Sequence, residues 1–325
     1  MTVLPSISAS LDQKKITKII NKKFSILAPS FYKFISTWFI NSYSNFKDIE
    51  TYIILIYLVN NDFEFYQKNG ITIDYETFYK DKTLEIENIK IIQIAKDLQI
   101  PKESVRRKIA TLEKKGVIKR KNKKIFIDRN AYQTVQPVIT IKNLSNLISI
   151  ATVILKSEKK IESISSSEEV IALIKKKFTF CWFQFYKFIF SYYLRIKNEV
   201  DDLETFCIGI LIMYNAVSNK EFILQNINVF KWRNEISTAD TVGLNAMSIA
   251  DITGIPRPTV VRKLNILIKK GWIETNDQKL VFFKIDQLKF SKAKKMHYQT
   301  IQDMSELIFK ILNQISINLT FLKYK

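Results

Sequence analysis

Residues 94–118, IAKDLQIPKESVRRKIATLEKKGVI, recur without a gap at 249–273 as IADITGIPRPTVVRKLNILIKKGWI. Twelve of the 25 positions are identical, among them Ile100/Ile255, Pro101/Pro256, Val105/Val260, Arg107/Arg262, Lys108/Lys263, Leu112/Leu267, the Lys-Lys-Gly triplet and the closing Ile. The register extends upstream: Lys23, Phe24 and the pentad Phe31-Tyr32-Lys33-Phe34-Ile35 are answered, at an offset of 154, by Lys177, Phe178 and Phe185-Tyr186-Lys187-Phe188-Ile189. A whole domain was therefore duplicated, and the fold must contain its local structure twice. The halves are assigned to 1–160 and 161–325.

Each copy has a direct structural reading. Ile91, Ile94, Ala95 and Leu98 fall on one face of a short helix. Pro101 and Pro256 push the preceding residue out of the α region, so that helix stops and a second begins after a tight turn. In the second helix Val105, Ile109 and Leu112, matched by Val260, Leu264 and Leu267, bury one stripe. That leaves Lys102, Ser104, Arg106, Arg107 and Lys108 facing outward. Gly116 and Gly271 suit the left-handed residue past a helix end, and the runs VIKRKNKKIFI and WIETNDQKLVFF each suggest a hairpin. Helix, turn, helix, hairpin is a winged helix-turn-helix, expected at 91–129 and 246–285. The fold class expected is mainly α with small β wings, as two tandem winged helix-turn-helix domains forming a pseudo-dimer.

Both copies resemble the reading head of bacterial winged-helix transcription regulators of the MarR and GntR type. In those proteins a Pro or small-residue turn precedes [ST]-V-x-R-x-[IL], and K-K-G-[VWL]-I opens the wing. Ser104-Val105 with Arg107 and Thr259-Val260 with Arg262 carry the match, which covers about fifty residues. Neither wing has the Asp-x-Arg spacing typical of MarR proteins. The resemblance implies double-stranded DNA as partner and a role in transcription regulation; a cytoplasmic location is expected from the two cysteines in apolar helical stretches and the absence of a disulfide framework. It implies no cofactor and names no effector. A plasmid-type replication initiator with two winged helices in one chain is the alternative within DNA binding, and a winged-helix protein-interaction module is the alternative outside it.

The net charge of +20 first suggests a polyanion, nucleic acid or an anionic membrane surface. Heavy use of Lys, Ile and Asn with scarce Gly and Pro is also the bias of an AT-rich genome, which raises the charge with no partner at all. Arginine discriminates better because that bias works against it. Six of the eight arginines, Arg106, Arg107, Arg120, Arg129, Arg257 and Arg262, lie in the two reading heads and their wings, and the guanidinium fork suits phosphate and guanine edges. The candidate DNA contacts are Lys102, Ser104, Arg106, Arg107, Lys108, Arg120, Lys123 and Lys124 in the first head. Arg257, Thr259, Arg262 and Lys263 are those of the second. Lys114, Lys115, Lys269 and Lys270 close helix C-termini, where cations are favoured without any DNA. The first wing is basic while the second carries Glu274 and Asp277, so a symmetric operator is not expected.

A long helix is predicted from Lys14 to about Tyr43, broken near Pro29. The aromatic helices 23–43 and 177–197 are too apolar to stand alone and are assigned to the seam between the halves. Asp48, Glu50, Asp202 and Glu204 open the next helices, in first-turn positions that the helix dipole favours. Residues 62–88 and 216–243 are the least repeated, and helices are expected at 144–155 and about 299–319. Cys181 and Cys207 lie in apolar helical stretches, consistent with a reducing compartment. No segment is expected to span a membrane. With a single His, no metal-ligand cluster, no Gly-rich phosphate loop and no nucleophile motif, an enzyme is not expected. Whether one pseudo-dimeric chain acts alone or pairs again stays open.

Overall fold

The computed structural model describes residues 11–323 apart from 88–89, 123, 132–135, 162, 201, 219–226, 228–230, 233–234, 237–241 and 285–289. For 290–294 and 315–323 it describes the backbone alone. The described residues are mainly α-helical with two small antiparallel sheets. The first half runs α1 (Gln13–Lys22), α2 (Phe24–Phe46), α3 (Ile49–Lys68), α4 (Tyr75–Lys80), β1 (Thr83–Glu87), α5 (Ile91–Asp97), α6 (Lys102–Lys114), β2 (Ile118–Lys121), β3 (Lys124–Asp128) and α7 (Val138–Ser157). The second runs α8 (Ser167–Lys176), α9 (Phe178–Lys197), α10 (Leu203–Val217), α11 (Ala246–Thr253), α12 (Arg257–Lys269), β4 (Ile273–Thr275), β5 (Val281–Phe283) and α13 (Phe290–Lys323).

The first helix breaks at Lys23, not at Pro29, which sits inside α2. Lys23 leaves helical geometry at φ −114°, ψ 29°, and Lys177 does the same at φ −114°, ψ 40° between α8 and α9, where no proline follows. The break therefore belongs to the duplicated unit. The carboxylate of Glu158 pairs with the Lys23 ammonium at 3.0 Å, and the Ser25 N–H donates to the Ile227 carbonyl at 3.3 Å. Asp48 and Asp202 are N-caps, accepting from Glu50 N at 3.2 Å and Thr205 N at 2.8 Å. Each satisfies an amide that the helix itself leaves without a partner.

Packing between the halves is reciprocal. Helix α2 lies on α10 and α9 lies on α3, while α1 packs on α13 and α8 on α7. In these four pairings a helix of one half meets a helix of the other in matched fashion, as in a self-complementary interface. The aromatic helices do meet at the seam: Phe34 and Trp38 approach the Phe185 ring with centroids 5.6 and 6.3 Å apart, and Phe31 approaches Phe188 at 6.4 Å. Each helix also packs on the third helix of the opposite half, as where Phe39 meets Phe206 edge-on at 4.9 Å. The buried side chains of both halves form one contiguous core. Such aromatic pairs add about 0.5–1.5 kcal/mol each beyond the burial of their area.

Among the described residues, one helix, Val138–Ser157, is long and apolar enough to cross a membrane, and 56% of its apolar window is buried in the protein. Its inner face, with Leu144, Leu147, Ile148 and Leu155, packs on α2 and α8. Cys181 and Cys207 are buried in α9 and α10, and burial pushes both thiols up to about 12.

Candidate nucleic-acid interface

Both repeats of the 25-residue unit form helix, tight turn, helix and hairpin. Ile94 and Leu98 in the first, and Ile249 in the second, anchor the short helix. The turn demands a left-handed residue, supplied by Gly254 at φ +67° and by Gln99 at φ +51°. Pro101 and Pro256 then stand just before the second helix with matching geometry, φ −52° and ψ near 135°. Val105, Ile109 and Leu112, like Val260, Leu264 and Leu267, are buried, each contributing roughly 1.5–3 kcal/mol by leaving water. This stripe fixes which residues remain outside.

Those outside are Lys102, Arg106 and Arg107 on α6 and Arg257 and Arg262 on α12, with Ser104 and Thr259 half-buried at the rim. Lys102 and Arg257, Ser104 and Thr259, and Arg107 and Arg262 are matched positions, so each head presents the same cation, hydroxyl, cation pattern. Arg106 is committed locally: its Nη1 donates to both Glu103 carboxylate oxygens, at 2.8 and 2.6 Å.

Lys108 and Lys263, expected to face outward, turn inward instead. The Lys263 side chain is 7% exposed and its ammonium lies 2.6 Å from the Asp202 carboxylate. Lys108, 13% exposed, bonds Asp48 and lies 3.4 Å from Glu50. A position three residues after a buried valine lies at the edge of the stripe. A lysine there can lay its methylene stem along the core and reach the N-terminus of the neighbouring helix. Helix α6 is thereby tied to α3, and α12 to α10, by a charge pair whose lysine is largely sheltered and whose carboxylate stays about one-third exposed. Glu50 also accepts from Lys197 Nζ at 2.6 Å and from the Tyr193 hydroxyl at 3.2 Å, both on α9 of the opposite half. Burial pushes the Asp48 and Asp202 carboxyls up, but their lysine partners and threonine hydroxyls win and hold both below the usual range. Between the two clusters lies a cleft of about 320 Å³, lined by Asp48, Glu50 and Lys197 together with Asp202 and Glu204. The N-termini of α3 and α10, and with them the anchors of α6 and α12, therefore face each other.

The hairpins differ. The first forms a three-stranded sheet in the order β1-β3-β2, with Ile86 opposite Ile125 and Lys121 opposite Lys124. The third strand, from the region between helix core and reading head, leaves no alternating pattern long enough to stand out in the sequence. In the second sheet, among the described residues, its place is taken by a single bridge, Leu244 to Val281. Lys119 and Lys121 are exposed. Arg120 is exposed but held bidentately by Glu113, its Nε and Nη2 at 2.6 and 3.0 Å, and Lys124 bonds Glu85. Lys123 lies outside the described residues. Arg129, counted among the basic residues of the first wing, is buried. Its guanidinium lies 4.4 Å from the Phe78 ring centre and donates to the carbonyls of Phe78 and Asp81. It tethers α4 and the sheet rather than facing solvent. On the second hairpin Glu274 is neutralised by Lys284 at 2.6 Å. Among the described residues, no group of His, Cys, Asp and Glu is arranged to hold a metal ion.

Comparison of the chain with family models, with curated proteins and with solved structures finds no match.

Proposed function

We propose that this protein is a cytoplasmic, sequence-specific double-stranded DNA-binding transcription regulator, in which two winged helix-turn-helix units in one chain act as a pseudo-dimer on two half-sites. The observation that carries the reading is the equivalence of α6 and α12. Each is docked through the same inward-turned lysine onto the N-terminus of the same helix of its half, and each keeps two matched cations in solvent with a half-buried hydroxyl between them. Arg107 and Arg262 are the leading candidates for base edges, Lys102 and Arg257 for phosphate or base, and Ser104 and Thr259 for phosphate. Reciprocal packing of the halves fixes the separation of the two helices, as a two-fold dimer does for half-sites about one duplex turn apart. A basic first hairpin favours a stronger grip on the backbone by the first half.

The test is selection from random duplex DNA by the full chain. The expected product is a pair of related half-sites about 10–10.5 base pairs apart, bound with an affinity that falls steeply with salt. Arg107→Ala and Arg262→Ala should each relax specificity in one half-site only. Enrichment of no motif, or of a single unpaired one, would refute the reading.

A further inference from the structure

The exposed faces of the two reading helices agree at Lys102/Arg257 and Arg107/Arg262 and differ at three other positions. Glu103, Arg106 and Ala110 on α6 correspond to Pro258, Val261 and Asn265 on α12, and all six are exposed. Positions 258, 261 and 265 lie at i, i+3 and i+7, on one face of the helix. On α6 the first two positions form an ion pair, with Arg106 Nη1 2.6 Å from a Glu103 oxygen. On α12 both charges are gone together, replaced by a proline and by a valine that is 43% exposed. A lone exposed valine would carry no argument. Here it accompanies the joint loss of an ion pair and, one turn further along, the gain of an exposed amide.

The base-pair edges in the major groove translate these differences. Arg donates bidentately to guanine O6 and N7, and Glu accepts from cytosine N4. Asn pairs bidentately with adenine N6 and N7, and an apolar side chain suits the thymine methyl. Glu103 with Arg106 is therefore a G·C inventory, and Val261 with Asn265 an A·T inventory. We infer that the two reading helices are tuned to different base pairs: the half-site under α12 carries A·T, read by Val261 and Asn265, where the half-site under α6 carries G·C. The bases under Arg107 and Arg262 are common to both. This inference rests on the duplex-binding reading above.

Three duplexes test it, built on the selected spacing: one pairing a G·C-type with an A·T-type half-site, and two symmetric ones of either type. The full chain should prefer the mixed duplex by about tenfold or more, the discrimination of one good base contact. Val261→Arg with Asn265→Ala should move that preference to the symmetric G·C duplex. A gentler variant guards against misfolding. Replacing thymine by deoxyuridine in the second half-site removes only the methyl group, and should weaken the wild type by about fourfold. Val261→Ala should be indifferent to that replacement. Equal binding of all three duplexes, or an unchanged preference in the double variant, overturns the assignment while duplex binding itself survives. Absence of salt-dependent binding to any duplex overturns both.

Discussion

The ammonium of Lys263 reaches past its own helix to the carboxylates of Asp202, at 2.6 Å, and Glu204, at 3.8 Å, and Lys108 stands in the same relation to Asp48 and Glu50. The two acids of each cluster share a helix N-terminus, where the amide dipoles favour negative charge. The lysine supplies the counter-charge from the helix that carries the exposed arginines. A charge pair that docks one helix onto another makes the orientation of α6 and of α12 a property of the core.

Lys263→Met should therefore destabilise the protein without altering its electrostatic grip on DNA. The stranded carboxylates are each about one-third exposed and can rehydrate, so the cost falls below that of breaking a fully buried pair, at about 1–3 kcal/mol. Urea unfolding should show the loss, with amide exchange faster in α12 first. The slope of log K against log salt should stay constant. A slope reduced by about one would place Lys263 back on the phosphate backbone.

The same clusters set an acid limit. Folding lowers the Asp48 and Asp202 pKa values below their ordinary 3.8, so the folded state binds fewer protons than the unfolded chain. Their stabilisation is complete above about pH 5 and is lost as pH falls through 3.8 toward the folded values. Asp48→Asn with Asp202→Asn keeps a good N-cap but removes the charge. We expect the double variant to be less stable at neutral pH and to lose less stability between about pH 5 and pH 2. Parallel curves for variant and wild type would show that these pairs contribute no linkage.

How much was visible in the sequence follows from what is duplicated. Matched apolar stripes and prolines specify helix, turn and helix, because periodicity and proline geometry act locally. The left-handed turn residue is plain at Gly254 but hidden at Gln99, where the tertiary context holds a non-glycine residue at φ +51°. Asp48 and Asp202 were legible as caps, but their lysine partners were not, since a Lys at the rim of an amphipathic helix looks solvated until the neighbouring helix is in place. The co-duplication of Lys108/Lys263 with Asp-x-Glu at 48–50 and 202–204 was the available signal. Sequence reasoning places the break at Pro29, the nearest residue with a helix-breaking mechanism, whereas the break falls at Lys23, and Lys177 repeats it with no proline following. The crossing of α2 to α10 and α9 to α3 is a matter of long-range packing, on which composition and spacing are silent.

In the first hairpin two of the cations are already occupied: Glu113 holds Arg120 and Glu85 holds Lys124. These are exposed pairs worth about 0–1 kcal/mol to the fold, so their removal should leave the protein folded. Arg120→Ala with Lys124→Ala should lower the salt slope of duplex binding by up to about two counterions, at about 0.9 per phosphate contact. Glu113→Ala with Glu85→Ala should tighten binding at low salt, since the carboxylates no longer compete with phosphate. Tightening would fail to appear if this hairpin points away from the duplex.

Phe185 tests whether the halves are one folding unit. It is fully buried on α9, yet Phe34 and Trp38, 5.6 and 6.3 Å from its ring, belong to the other half. Phe185→Ala removes a large side chain from a close-packed seam and should cost about 3–5 kcal/mol. In independently folding halves that loss would fall on the second alone, splitting the unfolding curve so that helix content and Trp38 fluorescence part company. With α2 on α10 and α9 on α3, neither half can complete its core by itself. Unfolding should thus remain a single transition by both probes, shifted to lower denaturant. For the same reason residues 1–160 expressed alone should expose the apolar face of α2 and associate or fail to fold. A monomeric, cooperatively folded half would show that the seam joins two finished domains.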